Sequence, residues 1–220
     1  MLSKKLIKYL EDNSAKFDVV EHKVVYTAYD AAQTMKVKLN EISKSLLVKF
    51  NKPFITGQKP YAIVIVGADK NIDLKKLKKV VSDVAVGLNK ELRTKKTEKG
   101  KKPLLDIYNK VAKVSIPHEK ELKSKLKAKP GAMTAFGTLY KLPVFVDKDF
   151  LKNKAAVFAG DSFTQSVKMV ARDFHKLENA MVGKFSAPKK FKKSKVKAKP
   201  KKKSAKKKVV KKKVVKRRKK

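Results

Sequence analysis

The chain has 220 residues, 42% of them hydrophobic, with 59 Lys and Arg against 19 Asp and Glu and a formal net charge of +40; it is long enough for one well-cored domain and charged like a protein that meets a polyanion. It has no cysteine and three histidines, His22, His118 and His175, which excludes a disulfide framework, a thiol nucleophile and a cysteine-ligated zinc, and offers no His-Glu-x-x-His spacing for another metal centre. No run of about 18 apolar residues could cross a membrane, Lys8 breaks the apolar run a signal peptide would need, and the lack of cysteine points to a reducing, cytoplasmic location.

Leu2, Leu6, Ile7 and Leu10 recur at helical spacing, so residues 2–12 are expected to form an amphipathic helix. A short strand is expected from Phe17 to His22. Thr27-Ala28-Tyr29-Asp30 has the form of a capping box opening a helix through Ala31, Ala32 and Met35. Lys44 to Phe50 and Tyr61 to Gly67 are expected strands, the second apolar on both faces like the centre of a sheet. Leu74, Leu77 and Val81 mark a helix over Asp73 to Ser82, and Arg93 to Pro103 is expected to be a mobile basic loop. Val111 to Ile116 alternates like a strand, with Pro117 in the first turn of a helix reaching Leu126. Strands at Leu142 to Asp147 and Ala155 to Gly160 precede a last helix carrying Val167, Val170, Ala171, Phe174 and Leu177 on one stripe. The predicted class is α/β or α+β: a mixed central or barrel-like sheet flanked by helices, in a domain over residues 1–183.

Residues 184–220 are different material, holding 22 of the 59 basic residues and no acidic one, which leaves +18 on the first 183 residues. Lys-Lys-Lys-Val-Val repeats at 206–210 and 211–215. Five is neither a helical nor a strand period, and like charges this dense repel, so a disordered, phosphate-binding tail is expected; a merely solubilising tail is the plainer alternative.

Several motifs, in order, resemble the YbaK and prolyl-tRNA-synthetase-associated editing-domain family. His22 with Tyr26-Thr27-Ala28 and Ala31 is similar to a His-x-x-x-x-Thr-Ala-x-x-Ala opening, and Ser43-Lys44-Ser45-Leu46 to a Lys-(Ser/Thr)-Leu signature. Pro130 to Gly137 resembles a Gly-x-x-x-Pro-Phe-Gly loop, with Ala135 in place of Pro. Val144 to Asp147 resembles the strand ending in Asp, and Ala159-Gly160-Asp161-Ser162, Met169 and Asp173-Phe174 the closing pattern, with Ser162 in place of the common His. The segment from about Gly87 to Asn109 is longer than the family core.

The resemblance implies an editing fold that hydrolyses misacylated tRNA without cofactor or metal. It makes Lys44 the catalytic candidate, binding the terminal phosphate or carbonyl, and places His22, Thr27, Ser45, Gly131, Ala132, Ala135, Gly160, Asp161 and Ser162 around the substrate. From the residues alone each has a plainer reading. Lys44 is one of many surface lysines, Pro130-Gly131 and Gly160-Asp161 are turns, His22 is a structural hydrogen-bond partner and Thr27 a helix cap. Gly131 could bring backbone N–H groups close to an ester oxygen. Two function classes follow: a free-standing aminoacyl-tRNA deacylase whose partner is tRNA, and a non-enzymatic adaptor in which the tail meets other RNA, DNA or the ribosome.

Overall fold

Ser3 opens the first helix, α1 (Lys4–Asp12), by accepting a hydrogen bond from the Leu6 N–H, and Leu6 and Leu10, one turn apart, are fully buried. The computed structural model describes residues 1–25, 27–97, 106–126 and 133–189. After α1 come β1 (Asp18–Glu21), α2 (Ala28–Met35), β2 (Ser43–Phe50), β3 (Tyr61–Gly67), β4 (Lys70–Ile72), α3 (Leu74–Thr97), β5 (Val114–Ser115) and α4 (Glu119–Leu126). Then follow β6 (Val144–Asp147), β7 (Ala156–Ala159), β8 (Gln165–Met169), α5 (Ala171–Leu177), β9 (Met181–Gly183) and β10 (Ser186–Pro188).

β3 is buried at every position and centres a mixed sheet of order β5-β2-β3-β6-β9, antiparallel from β5 to β3 and parallel from β3 to β9. The sheet is open, so the expected mixed sheet flanked by helices is present and the barrel-like alternative is not. Strand alternation divides the core. Leu47, Ile63, Ile65, Val144 and Val146 face α1, α5 and the Phe136, Phe158 and Phe174 rings. Val48, Phe50, Val64, Val66 and Phe145 face Leu77, Val81 and Ala85 of α3 with Phe54 and Phe185. A second sheet, β1-β8-β7, is antiparallel and touches the first through a parallel bridge from Ile42 to Val157.

The structure departs from the sequence expectations in four places. Val167 lies in a strand, not a helix: β8 is held between β1 and β7, and in it Ser166, Val167 and Met169 are buried while Lys168 is exposed. The helix starts only after Val170. α3 runs to Thr97 rather than Ser82, because Val84, Ala85 and Leu88 continue the apolar face, so Arg93 to Thr97 are helical; the rest of the expected loop lies outside the described residues. The strand expected over Val111 to Ile116 shrinks to β5, since the N–H of Val111 is taken by the Ser82 hydroxyl.

The fourth departure is the boundary at Gly183. β10 continues the fold past it, pairing antiparallel with β4. Buried Asp147, at the end of β6, accepts hydrogen bonds from the Phe185 and Ser186 N–H groups and from the Ser186 hydroxyl. These charge-assisted bonds make the Asp of the motif a fixture of the fold. Gly137 is similar: a Cβ there would lie 2.7 Å from the Leu142 carbonyl oxygen. Gly137→Ala is therefore expected to lose about 1–3 kcal/mol in urea denaturation; unchanged stability would contradict this packing.

Candidate active site

β2 is hydrogen-bonded to β3 from Ser43 to Lys49, but its other edge carries β5 only at Lys49 and Phe50. Along the rest of that edge lies a cleft of about 400 Å³, a size suited to small-molecule recognition. One wall is α2, through Ala28, Ala31 and Met35. Another is the turn into α4, through Ile116, Pro117, Glu119 and Leu122, and β7 closes the far side with Val157 and Ala159.

Both walls are pinned. Thr27 caps α2, its hydroxyl accepting from the Asp30 N–H at 3.1 Å and donating to the Asp30 carboxylate at 2.6 Å. Asp30 does not reach back to the cap N–H in the manner of a full capping box. Thr27→Ala is expected to cost about 1 kcal/mol, read as a Tm lower by about 2–4 °C; an unchanged Tm would remove the cap from the account. α4 is held by Glu121, which accepts from Lys49 Nζ through both oxygens, at 3.1 and 3.0 Å, and from the Tyr61 hydroxyl at 3.0 Å. The pairing pushes the Lys49 ammonium pKa up and the Glu121 carboxyl pKa down, in each case chiefly through their mutual hydrogen bond.

Five expected site residues line this cleft: His22, Thr27, Lys44, Ser45 and Ser162. Lys44 and Ser45 point to opposite faces of β2. Lys44 stands opposite Val66, on the α3 side, and its Nζ donates to the Asn71 side-chain oxygen of β4 at 3.2 Å. Burial lowers its pKa below the usual lysine value, with a further push from the charge of Lys189. Ser45 stands opposite Ile65, on the α1 and α5 side. Ser43, two residues earlier, shares that face and lines the cleft, though it was not among the expected site residues. Both hydroxyls are sealed from solvent, and among the described residues neither has a hydrogen-bond partner.

His22 has protein partners on both ring nitrogens. Nδ1 lies 2.9 Å from the Lys23 carbonyl oxygen, to which it donates, and Nε2 lies 2.9 Å from the hydroxyl of Ser166, a second cleft residue that sequence reasoning passed over. In the neutral ring, Nε2 then accepts from that hydroxyl. Ser162 accepts from the Thr164 N–H at 3.2 Å and from the Met1 ammonium at 3.4 Å.

Three expected residues stand apart from the cleft. Asp161 accepts from the Ser3 N–H at 2.9 Å, and a Cβ on Gly160 would run into Leu2, so both receive the start of α1. Ala135 is fully buried in the core, its N–H donating to the Ala159 carbonyl. Gly131 and Ala132 lie outside the described residues.

The aminoacyl-tRNA editing domain family matches over residues 22–100 and 84–177, most of the chain and all the described parts of the cleft. The chain belongs to this family. Among solved structures, the editing domain is similar to a candidate trans-editing enzyme for prolyl tRNA synthetase, at 19% identity and a TM-score of 0.61, over 85% of this chain and 99% of that one. It is also similar to hypothetical protein APE2540, at 17% identity and a TM-score of 0.62, over 84% of this chain and 100% of that one. At these identities the likeness is one of fold. Comparison with curated proteins yields no match. No helix among the described residues is long and apolar enough to cross a membrane.

Proposed function

We propose that this editing domain is a trans-acting deacylase that hydrolyses the ester of a misacylated tRNA in the cleft along β2. The observation that carries the reading is the position of the signature pair Lys44-Ser45 on an inner strand whose cleft-side edge is unpaired among the described residues, in a cleft walled largely by apolar side chains. An aminoacyl ester is already activated, so the site has to orient a water and stabilise the oxyanion that forms as water adds to the carbonyl carbon. The bond from that carbon to the ribose oxygen then breaks, the proton passes to the leaving oxygen, and free amino acid and tRNA result. Lys44, half-buried beside the edge, supplies positive charge, and its lowered pKa eases proton donation. Glu119, in the cleft lining, would meet the substrate ammonium in this reading.

The basic surface would hold the phosphate backbone. Neutralising six phosphates makes affinity fall by about three decades between 50 and 200 mM salt. The test is a panel of misacylated tRNAs assayed at low salt. Release of amino acid from at least one supports the deacylase. A silent panel with tight RNA binding replaces it with the adaptor, a reading favoured by the engagement of the Lys44 and Ser162 side chains with other protein groups.

A further inference from the structure

We propose that Ser43 and Ser45 together select an aminoacyl group whose side chain ends in a hydroxyl, seryl above all; the inference rests on the deacylase reading. Ser43 is 5% exposed, both serines line the cleft, and both Oγ atoms are buried with no hydrogen-bond partner among the described residues. A buried hydroxyl without a hydrogen bond destabilises the fold that contains it, and two on one strand face need a reason. Alternation puts both on one side of β2, about 6.6 Å apart along the strand. One oxygen lying between them bridges that gap with two hydrogen bonds once the rotamers lean inward.

The chemistry of the pair narrows the ligand. Each serine hydroxyl donates one hydrogen bond and accepts two, so a single substrate hydroxyl can donate to one and accept from the other. A methyl side chain leaves both unpaired, and a thiol is a weak donor and acceptor. The substrate ammonium is the poorer occupant of this position, because Lys44 lines the same cleft and Glu119 offers it a carboxylate instead. The surrounding apolar groups sharpen the choice, since a site built to pair a substrate hydroxyl rejects analogues lacking it far more strongly than an apolar pocket rejects a methyl. Entry requires side chains at the wall to give way, and Met35 and Met133, unbranched and in the lining, can do so.

The experiment compares seryl, alanyl and cysteinyl esters of one tRNA with the full chain, its Ser43→Ala and Ser45→Ala variants and the double variant. The wild-type protein is expected to favour seryl over alanyl in kcat/KM by at least about tenfold, and the double variant to bring the ratio down about 100-fold. Thermal melting supplies a readout independent of turnover. Removing a hydroxyl that has no partner should raise the Tm of the free protein by about 2–4 °C, whereas removing one that holds the fold together lowers it. A seryl-to-alanyl ratio unmoved by the double substitution, or a wild-type preference for alanyl, overturns the selector while the deacylase stands. A wild-type protein that turns over none of the three, or any other aminoacyl-tRNA, overturns both. A Tm that falls in both single variants assigns the serines to the fold and also overturns the selector.

Discussion

Lys44→Ala is expected to lower kcat for deacylation of a misacylated tRNA by about 10²- to 10³-fold, the loss typical of removing one group that stabilises an oxyanion. KM should stay within about threefold, because in the proposed complex many other cations would hold the tRNA backbone. The fold should survive. Lys44 sits in a strand whose seven registered pairs with β3 remain, and the side-chain hydrogen bond lost, to exposed Asn71 of β4, is not buried. Lys44→Arg serves as the control, since it keeps the charge but changes the shape of the donor. Equal melting temperatures with wild-type turnover in the alanine variant would end the assignment of Lys44 to the chemistry and leave the strand edge itself as the source of catalysis.

Truncation after Lys189 is expected to raise KM at low salt by an order of magnitude or more, to spare kcat and to flatten the dependence of KM on salt. Residues 190–220 hold 20 of the 59 basic residues and no acidic one. If only a few of them meet phosphate, each contributes to the slope of log affinity against log salt by about 0.9. The site of the cut matters. Ending the chain at Gly183 would remove fully buried Phe185 and all the Ser186 and Phe185 bonds to Asp147, and a loss of activity would then report a damaged fold. With the cut after Lys189, an unchanged KM and an unchanged salt slope count against a tail that grips tRNA.

The parts of this molecule that declared themselves in sequence are those whose local pattern agrees with their final surroundings. The unbroken apolar run of β3 requires cover on both faces, and the Leu spacing of α1 requires one buried stripe. The parts that did not are governed by partners distant in the chain. Val167 fits a helical stripe with Val170, Ala171 and Phe174 as well as it fits a strand, and only β1 and β7 on either side decide the matter. β4 and β10 are three residues each, too short to show a period, and they pair with one another across most of the sequence. The candidate site divides in the same way. Lys44 and Ser45 stand in the family signature, whereas Ser43 only adjoins it and Ser166 lies in no motif, and these two join the site through the strand faces and the His22 contact. Gly160 and Asp161 carry a family pattern, yet they seat the N-terminal helix, a role that nothing near them in the chain foreshadows.

The edge of β2 that faces the cleft, unpaired among the described residues, also bears on self-association. A bare strand edge beside the centre of a sheet is a template on which a second extended chain can add, the usual first step of edge-to-edge aggregation. α2 and α4 stand on either side of that edge, one fastened by the Thr27 cap and the other by Lys49 and Tyr61 on Glu121. The walls that shape the cleft are thus also a guard against self-association, and a protein with this much positive charge gains a second, shorter-ranged barrier to the same failure.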